Sequence, residues 1–390
     1  MTTDMVTIHN ALPDLTDHSV QSVRPPAQDS GRTLALDGMR GLAALAVFFS
    51  HAQGMIPATP ILDTLRRTPA RILWDGAAAV SLFFVLSGFV LALPFVGPTA
   101  KRLGVGDFLV RRIFRIYPAY LVAISLSLIL RLHGPVLSTE VSAWFRDFWT
   151  TRVMLSDLIR HAIMVGPNLN DRLIDPVIWS MVIEMRMSLL MPAFILMLRR
   201  TTVRSDVLIL AAAVLSGTHF HFANAAPFFI GGIQLAKHRR LLASHVRRFS
   251  SWQRSTLLVA SLSLYGSRML GSEASSLVNY VAGIGAGKLI LCVLYLPVCS
   301  AITSSRPALL LGHFSYSFYL IHLPVMIILT SWLIRPTHSL LACWGSSICA
   351  SMLISAAIYH LVELPLQKVG KRVWPASYSW IRPAMADAAQ

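Results

Sequence analysis

Apolar runs long enough to cross a bilayer, or nearly so, recur along the chain. They fall at roughly 34–56, 74–96, 117–132, 178–198, 206–222, 225–237, 255–271, 280–303, 312–334 and 339–363. The pattern predicts an all-α, polytopic integral membrane protein of about ten transmembrane helices. The runs at 117–132, 206–222 and 225–237 are the shortest and have the least defined ends. The polar stretches set the rest of the organisation. Residues 1–33 hold Pro25-Pro26, several acids and no apolar centre, and read as a disordered cytoplasmic tail. A membrane domain is expected over 34–370, and 371–390 form a short cytoplasmic tail. The longest hydrophilic connection, 131–177, has room for short helices or a small lid. The first span is too long for a signal-peptide core and lacks a small-residue cleavage site, so it is expected to be retained.

Composition agrees with this pattern: 55% of the 390 residues are hydrophobic, and 13% are charged. The formal charge of +16 invites a nucleic-acid reading, but its distribution argues otherwise. With the N-terminus inside and ten spans, 21 of the 34 Lys and Arg fall on the cytoplasmic side and 10 on the outer side. That is the positive-inside bias, and it places both termini in the cytoplasm. Anionic lipid headgroups, not nucleic acid, are the expected partners of the basic loops. Cys292, Cys299, Cys343 and Cys349 lie within predicted spans without metal-ligand spacing, so neither a metal site nor a disulfide framework is expected.

Ionisable residues inside spans are costly unless paired or facing a cavity, which makes each one a candidate for function. In "LDGMRGLAALAVFFSHA" Arg40 and His51 are eleven residues apart. At about 100° and 1.5 Å per residue they leave the same helix face, about 16 Å apart along the axis. Asp37, one turn before Arg40, is placed to pair with it. The shared face implies a polar track through the bundle.

Further along, "RRIFRIYP" clusters Arg111, Arg112 and Arg115 at the cytoplasmic start of the third span, suited to lipid phosphates or a phosphorylated ligand. In "WSMVIEM" Ser180, Glu184 and the later Ser188 form a stripe of period four. Arg186 points away from Glu184, so that carboxylate needs a partner from another helix, with Arg40 or His51 as the candidates. Ser87-Gly88 reads as a close helix contact. "SYSFYLIHLP" sets Ser315, Tyr319 and His322 on one face, with packing the favoured role for His322. His360 and Glu363 in "HLVELP" read as an architectural pair, and Lys288 receives no role.

These blocks, in this order and spacing over roughly 34–370, resemble the acyltransferase-3 family of integral membrane O-acyltransferases. The resemblance implies about ten membrane helices and transfer of an acyl group, most often acetyl from acetyl-CoA, to hydroxyls of carbohydrates and related acceptors. The family's Arg-x10-His pair corresponds to Arg40 and His51, with the histidine tied to catalysis. Its arginine block corresponds to Arg111, Arg112 and Arg115, and its Trp-Ser-x-x-x-Glu block to Trp179, Ser180 and Glu184. The chain departs from the family at Ala79-Val80-Ser81, where many members carry an acid, and at Met185, Arg186 and Met187 after Glu184.

The expected chemistry joins the two readings. His51 acts as general base on an acceptor hydroxyl. The three arginines hold the donor's phosphates, and Arg40 lies along the path of its pantetheine arm. Asp37 orients Arg40, and Glu184 sets the histidine's tautomer. The expected location is the inner membrane. A secondary transporter or flippase is the rival class, although neither paired broken helices nor an internal repeat is visible.

Overall fold

The computed structural model describes residues 27–97, 100–134, 138–164, 171–220, 224–270 and 275–373. The expected tails, over 1–26 and 374–390, lie outside the described residues. Among the described residues the secondary structure is helical throughout. The principal helices are α1 (Ala27–Gly54), α2 (Gly76–Ala92), α3 (Val105–Leu132), α4 (Ile178–Leu198), α5 (Val203–His219), α6 (Ala226–Arg248), α7 (Ser251–Tyr265), α8 (Ser276–Tyr295), α9 (Ser315–Thr337), α10 (Leu340–Ile358) and α11 (Leu364–Val373).

Among the described residues five helical stretches are long and apolar enough to cross a membrane: α3, α4, α8, α9 and the run Leu340–Gly370. The helix α2 is equally apolar but shorter, at 17 residues. The first helix starts at Ala27, inside the segment expected to be tail, and the 117–132 run is the second half of a 28-residue helix. That helix begins early because Asp107 and Arg111 form an i,i+4 ion pair in its first turns, supporting helix where the sequence is no longer apolar.

The centre of the bundle is α9. Over its membrane-length window 78% of residues are buried, against 28–56% in the other four candidates. It packs on α1, α3 and α10. The opposite side is a sheaf of α2, α6 and α8, where α2 and α6 make the closest crossing. A Cβ on Gly88 would stand 2.3 Å from the Phe229 carbonyl oxygen, and one on Gly232 would stand 2.2 Å from that of Val85. The two glycines therefore set how near the backbones come, as expected for Gly88. Large apolar side chains such as Leu208, Leu215, Val259 and Leu353 stay exposed on the outer helix faces, as a surface turned to lipid requires.

The 131–177 connection does form short helices, Ala143–Arg146 and Leu155–Ile163. It is strapped onto α3 through backbone carbonyls. Tyr120 Oη donates to the His161 carbonyl at 2.8 Å, and Ser127 and Arg131 donate to those of Ile174 and Leu173. This strap brings Trp144 over the end of α1, which carries His51.

Candidate active site

Two constellations meet inside the bundle. The first is a pair of imidazoles. His51, one turn before the end of α1, places Nδ1 at 2.8 Å from Nε2 of His322 on α9. The rings are stacked, with centroids 5.1 Å apart and an interplanar angle of 14°. His322 is fully buried, and His51 is partly buried. Trp144 stacks on the other face of His51 at 5.9 Å.

The hydrogen bonds of His322 assign the protons. Its Nδ1 faces two carbonyl oxygens, of Tyr319 at 2.7 Å and of Phe318 at 3.1 Å. A carbonyl only accepts, so Nδ1 carries the hydrogen. A neutral His322 then presents a lone pair at Nε2, and His51 must donate to it from Nδ1. The remaining nitrogen of His51, Nε2, is left with its lone pair free to take a proton.

The second constellation is a cavity of about 620 Å³ lined by Arg40, Arg111, Arg112 and Arg115. Its size is that of a small-molecule site. Each guanidinium is held along one edge by a carboxylate. Arg40 Nη1 donates to Asp37 at 2.5 Å, Arg111 Nε to Asp107 at 2.8 Å, Arg115 Nη1 to Glu363 at 2.7 Å, and Arg112 Nη2 to Glu184. A guanidinium carries five donors, so this bracing fixes its direction and leaves N–H groups for a ligand. Arg112 is the most tightly held. Its Nε and Nη2 also donate to Ser188 Oγ at 3.1 and 2.9 Å, and Ser87 adds a 2.7 Å hydrogen bond to Glu184. Arg115 lies with Cζ 5.7 Å from the Tyr316 ring centroid, and Ser317 donates to the buried Glu363 from the far side.

Tyr319 joins the two constellations. Its ring lines the cavity, its hydroxyl hydrogen-bonds Ser180 at 2.7 Å, and its backbone carbonyl holds His322. Phe83 meets the Tyr319 ring edge-on at 5.7 Å. Phe83 and Tyr319 both line the cavity, whereas His51 and His322 do not. The polar track expected along α1 is thus interrupted between its arginine and its histidine.

Several sequence expectations change at this level. Glu184 does not reach His51. It pairs with Arg112, because α3 passes α4 at that depth and Arg40 is already taken by Asp37. The ring that hydrogen-bonds His51 is that of His322, read from sequence as packing. Glu363 pairs across helices with Arg115 and Ser317 instead of acting with His360. It is delivered by a π-helical turn, Tyr359–Glu363, a distortion that often marks functional positions. Trp144 lay in a connection with no periodic signal, and nothing in the sequence marked it. Among the described residues no group of three His, Cys, Asp or Glu is placed to hold a metal ion, and the four cysteines are free thiols.

The described residues thus form a helical bundle with membrane-length apolar helices, a guanidinium-lined cavity and a pair of buried or half-buried imidazoles near it. The match to known families is specific: residues 33–360 fit the model of the acyltransferase-3 family, described as an acyltransferase domain. The chain belongs to that family, and with it to the multi-pass membrane acyltransferases. "Protein 2 in picA locus" of Rhizobium radiobacter is 37% identical over 100 residues, covering 24% of this chain and 44% of that protein, so the match spans under half of the relative's length. No solved structure is a significant match.

Proposed function

We propose that this acyltransferase moves an acyl group, acetyl by preference, from acyl-CoA to a hydroxyl of a carbohydrate or glycoconjugate, with His51 as general base. The observation that supports the reading is the His51–His322 contact, which leaves His51 Nε2 unprotonated, with Tyr319 and Phe83 standing between it and the arginine cavity. The reaction is a direct transfer. Nε2 takes the acceptor's hydroxyl proton as the oxygen attacks the thioester carbonyl. The tetrahedral intermediate expels the CoA sulfur, and the proton on the imidazole returns to it as the thiol leaves. His322 steadies the transient imidazolium through the Nδ1–H hydrogen bond. Arg111, Arg112 and Arg115 hold the donor's phosphates, and Arg40 guides the pantetheine arm along α1. Glu184 and Glu363 orient those arginines.

The topology proposed for this work has ten spans in the inner membrane and both termini in the cytoplasm. The donor then enters from inside, and the acceptor reaches the opposite end of α1. The test is transfer of radiolabelled acetyl from acetyl-CoA to a carbohydrate acceptor by the full-length protein in nanodiscs. His51→Ala should bind CoA as before and lose transfer. Acceptor translocation without acetylation would assign the chain to transport, and full turnover by His51→Ala would remove the histidine from the mechanism.

A further inference from the structure

Trp144 takes no part in the arginine cavity or in the proton order of the two histidines, yet several contacts fix it beside His51. Carbonyls at the end of a helix lack partners within it. Ser142 serves two at the end of α1. Its backbone N–H donates to the Met55 carbonyl at 2.9 Å, and its Oγ donates to that of Gly54 at 2.6 Å. The same hydroxyl caps the short helix Ala143–Arg146 by accepting from the Phe145 amide at 3.2 Å. Trp144 follows directly in that helix, so hydrogen bonds to the backbone of α1 set where it stands. Gly54 leaves the room it needs, since a Cβ there would lie 2.8 Å from the indole. Phe148 meets the indole edge-on, with centroids 4.9 Å apart and planes at 82°.

Of the three aromatic side chains at this turn, Phe145 is fully buried and Phe148 is 5% exposed, whereas Trp144 is 38% exposed. The two phenyl rings anchor the strap, and the indole is held out from it. Its stack on His51, at 5.9 Å between centroids and 19° between planes, is an offset one. The indole therefore overhangs the imidazole and keeps part of its face free. The neighbouring stretch of α1 is polar, with Ser50, His51 and Gln53 all half-buried.

A ligand suited to this place has a flat C–H face for the indole and hydroxyls around its rim. The face of an aromatic ring is its negative side, and C–H groups next to oxygen carry partial positive charge, so the two attract. A pyranose ring has that shape and polarity. An alkyl chain lacks the hydroxyls, and an open-chain polyol lacks the flat face. We infer that Trp144 is a stacking platform for a pyranose ring, holding it beside His51 so that a ring hydroxyl reaches Nε2. Trp144 then selects by ring shape. That the bound ring is the acceptor rests on the acyltransferase reading above.

The probes are methyl β-D-galactopyranoside and sorbitol, a ring and an open chain that are both neutral and rich in hydroxyls. They are observed by saturation-transfer NMR on the full-length protein in nanodiscs. The wild type should bind the pyranoside and not sorbitol, with saturation strongest on the C–H protons of one ring face. Trp144→Phe keeps an aromatic face and should retain most of the binding. Trp144→Leu fills space without such a face and should weaken it about five- to tenfold, the scale of one aromatic contact. Both variants keep the Ser142 hydrogen bonds and should bind acetyl-CoA as the wild type does. Equal binding of the two probes, no binding of the pyranoside, or Trp144→Leu binding as well as Trp144→Phe would each overturn the platform. So would loss of acetyl-CoA binding in Trp144→Leu, which would make the indole a structural prop. A pyranoside held through Trp144 but never acetylated from acetyl-CoA would leave the platform standing and count against the acyltransferase reading.

Discussion

His51 Nδ1 lies 2.8 Å from His322 Nε2, and His322 Nδ1 lies 2.7 Å from the Tyr319 carbonyl oxygen. The chain of contacts has one consistent proton order, running from the free Nε2 of His51 to a backbone acceptor that cannot change its role. A base whose tautomer is set by a partner is the arrangement needed for taking a proton at a defined atom.

The two histidines should therefore fail differently. In the proposed mechanism His51→Ala removes the base and should lower kcat by about 10² to 10⁴. His322→Ala removes only the partner and should cost less. His322→Gln, whose amide oxygen can accept from His51 Nδ1, should recover part of that loss, whereas a mere packing role would make Gln no better than Ala. Steady-state kinetics with acetyl-CoA, separating kcat from KM, decides between them.

Arg112 and Arg111 stand side by side in sequence but not in environment. Arg112 is gripped by Glu184 and Ser188, whereas Arg111 is an exposed i,i+4 partner of Asp107. A lysine cannot make the forked contacts of a guanidinium. Arg112→Lys should raise the KM for acyl-CoA about tenfold or more, and Arg111→Lys should raise it by less than about threefold.

Part of the arrangement is legible in the sequence. The Asp37–Arg40 pair followed from three-residue spacing, and the shared stripe of Ser180, Glu184 and Ser188, which the fold buries, followed from period four. Spacing along one helix says which residues share a face, but not what faces them. Glu184 was known to need a partner, yet Arg112 could be chosen over Arg40 only once the depths of α3 and α4 were fixed. The same limit hid the pairing of His51 with His322, 271 positions apart. Glu363 was doubly hidden, because a π-turn shifts its direction away from the one that helical counting gives.

That turn supports a prediction about the donor. Glu363 is buried and braces Arg115, which remains about one-third exposed. Glu363→Gln keeps the shape but drops the charge, freeing Arg115 to swing. The KM for acyl-CoA should rise severalfold with kcat nearly unchanged, and donor binding should become more sensitive to salt.

The crossing of α2 and α6 can be tested for stability alone. Gly88→Ala would drive a methyl to 2.3 Å from the Phe229 carbonyl oxygen, backbone that cannot step aside. Overpacking of this kind costs about 1–3 kcal/mol, so Tm in detergent should fall by several degrees. Gly231→Ala, one position from the same contact on α6, meets nothing nearer than a Leu210 methyl at 3.9 Å and should leave Tm unchanged.

The boundary between cavity and histidines is the Tyr319 side chain, and it separates two roles that one residue performs. The carbonyl that holds His322 belongs to the backbone and survives substitution, whereas the ring and hydroxyl close the cavity against Phe83 and Ser180. Tyr319→Phe keeps the ring and loses one hydrogen bond, so transfer should fall by less than about tenfold. Tyr319→Ala opens the arginine cavity toward the imidazoles and lets water reach the base. With the base still correctly protonated, water competes with the acceptor hydroxyl for the thioester. CoA released without acceptor, followed by a thiol reagent, should then increase relative to acetylated product. A Tyr319→Ala variant that loses both activities together would show that the ring is needed to hold His322 itself.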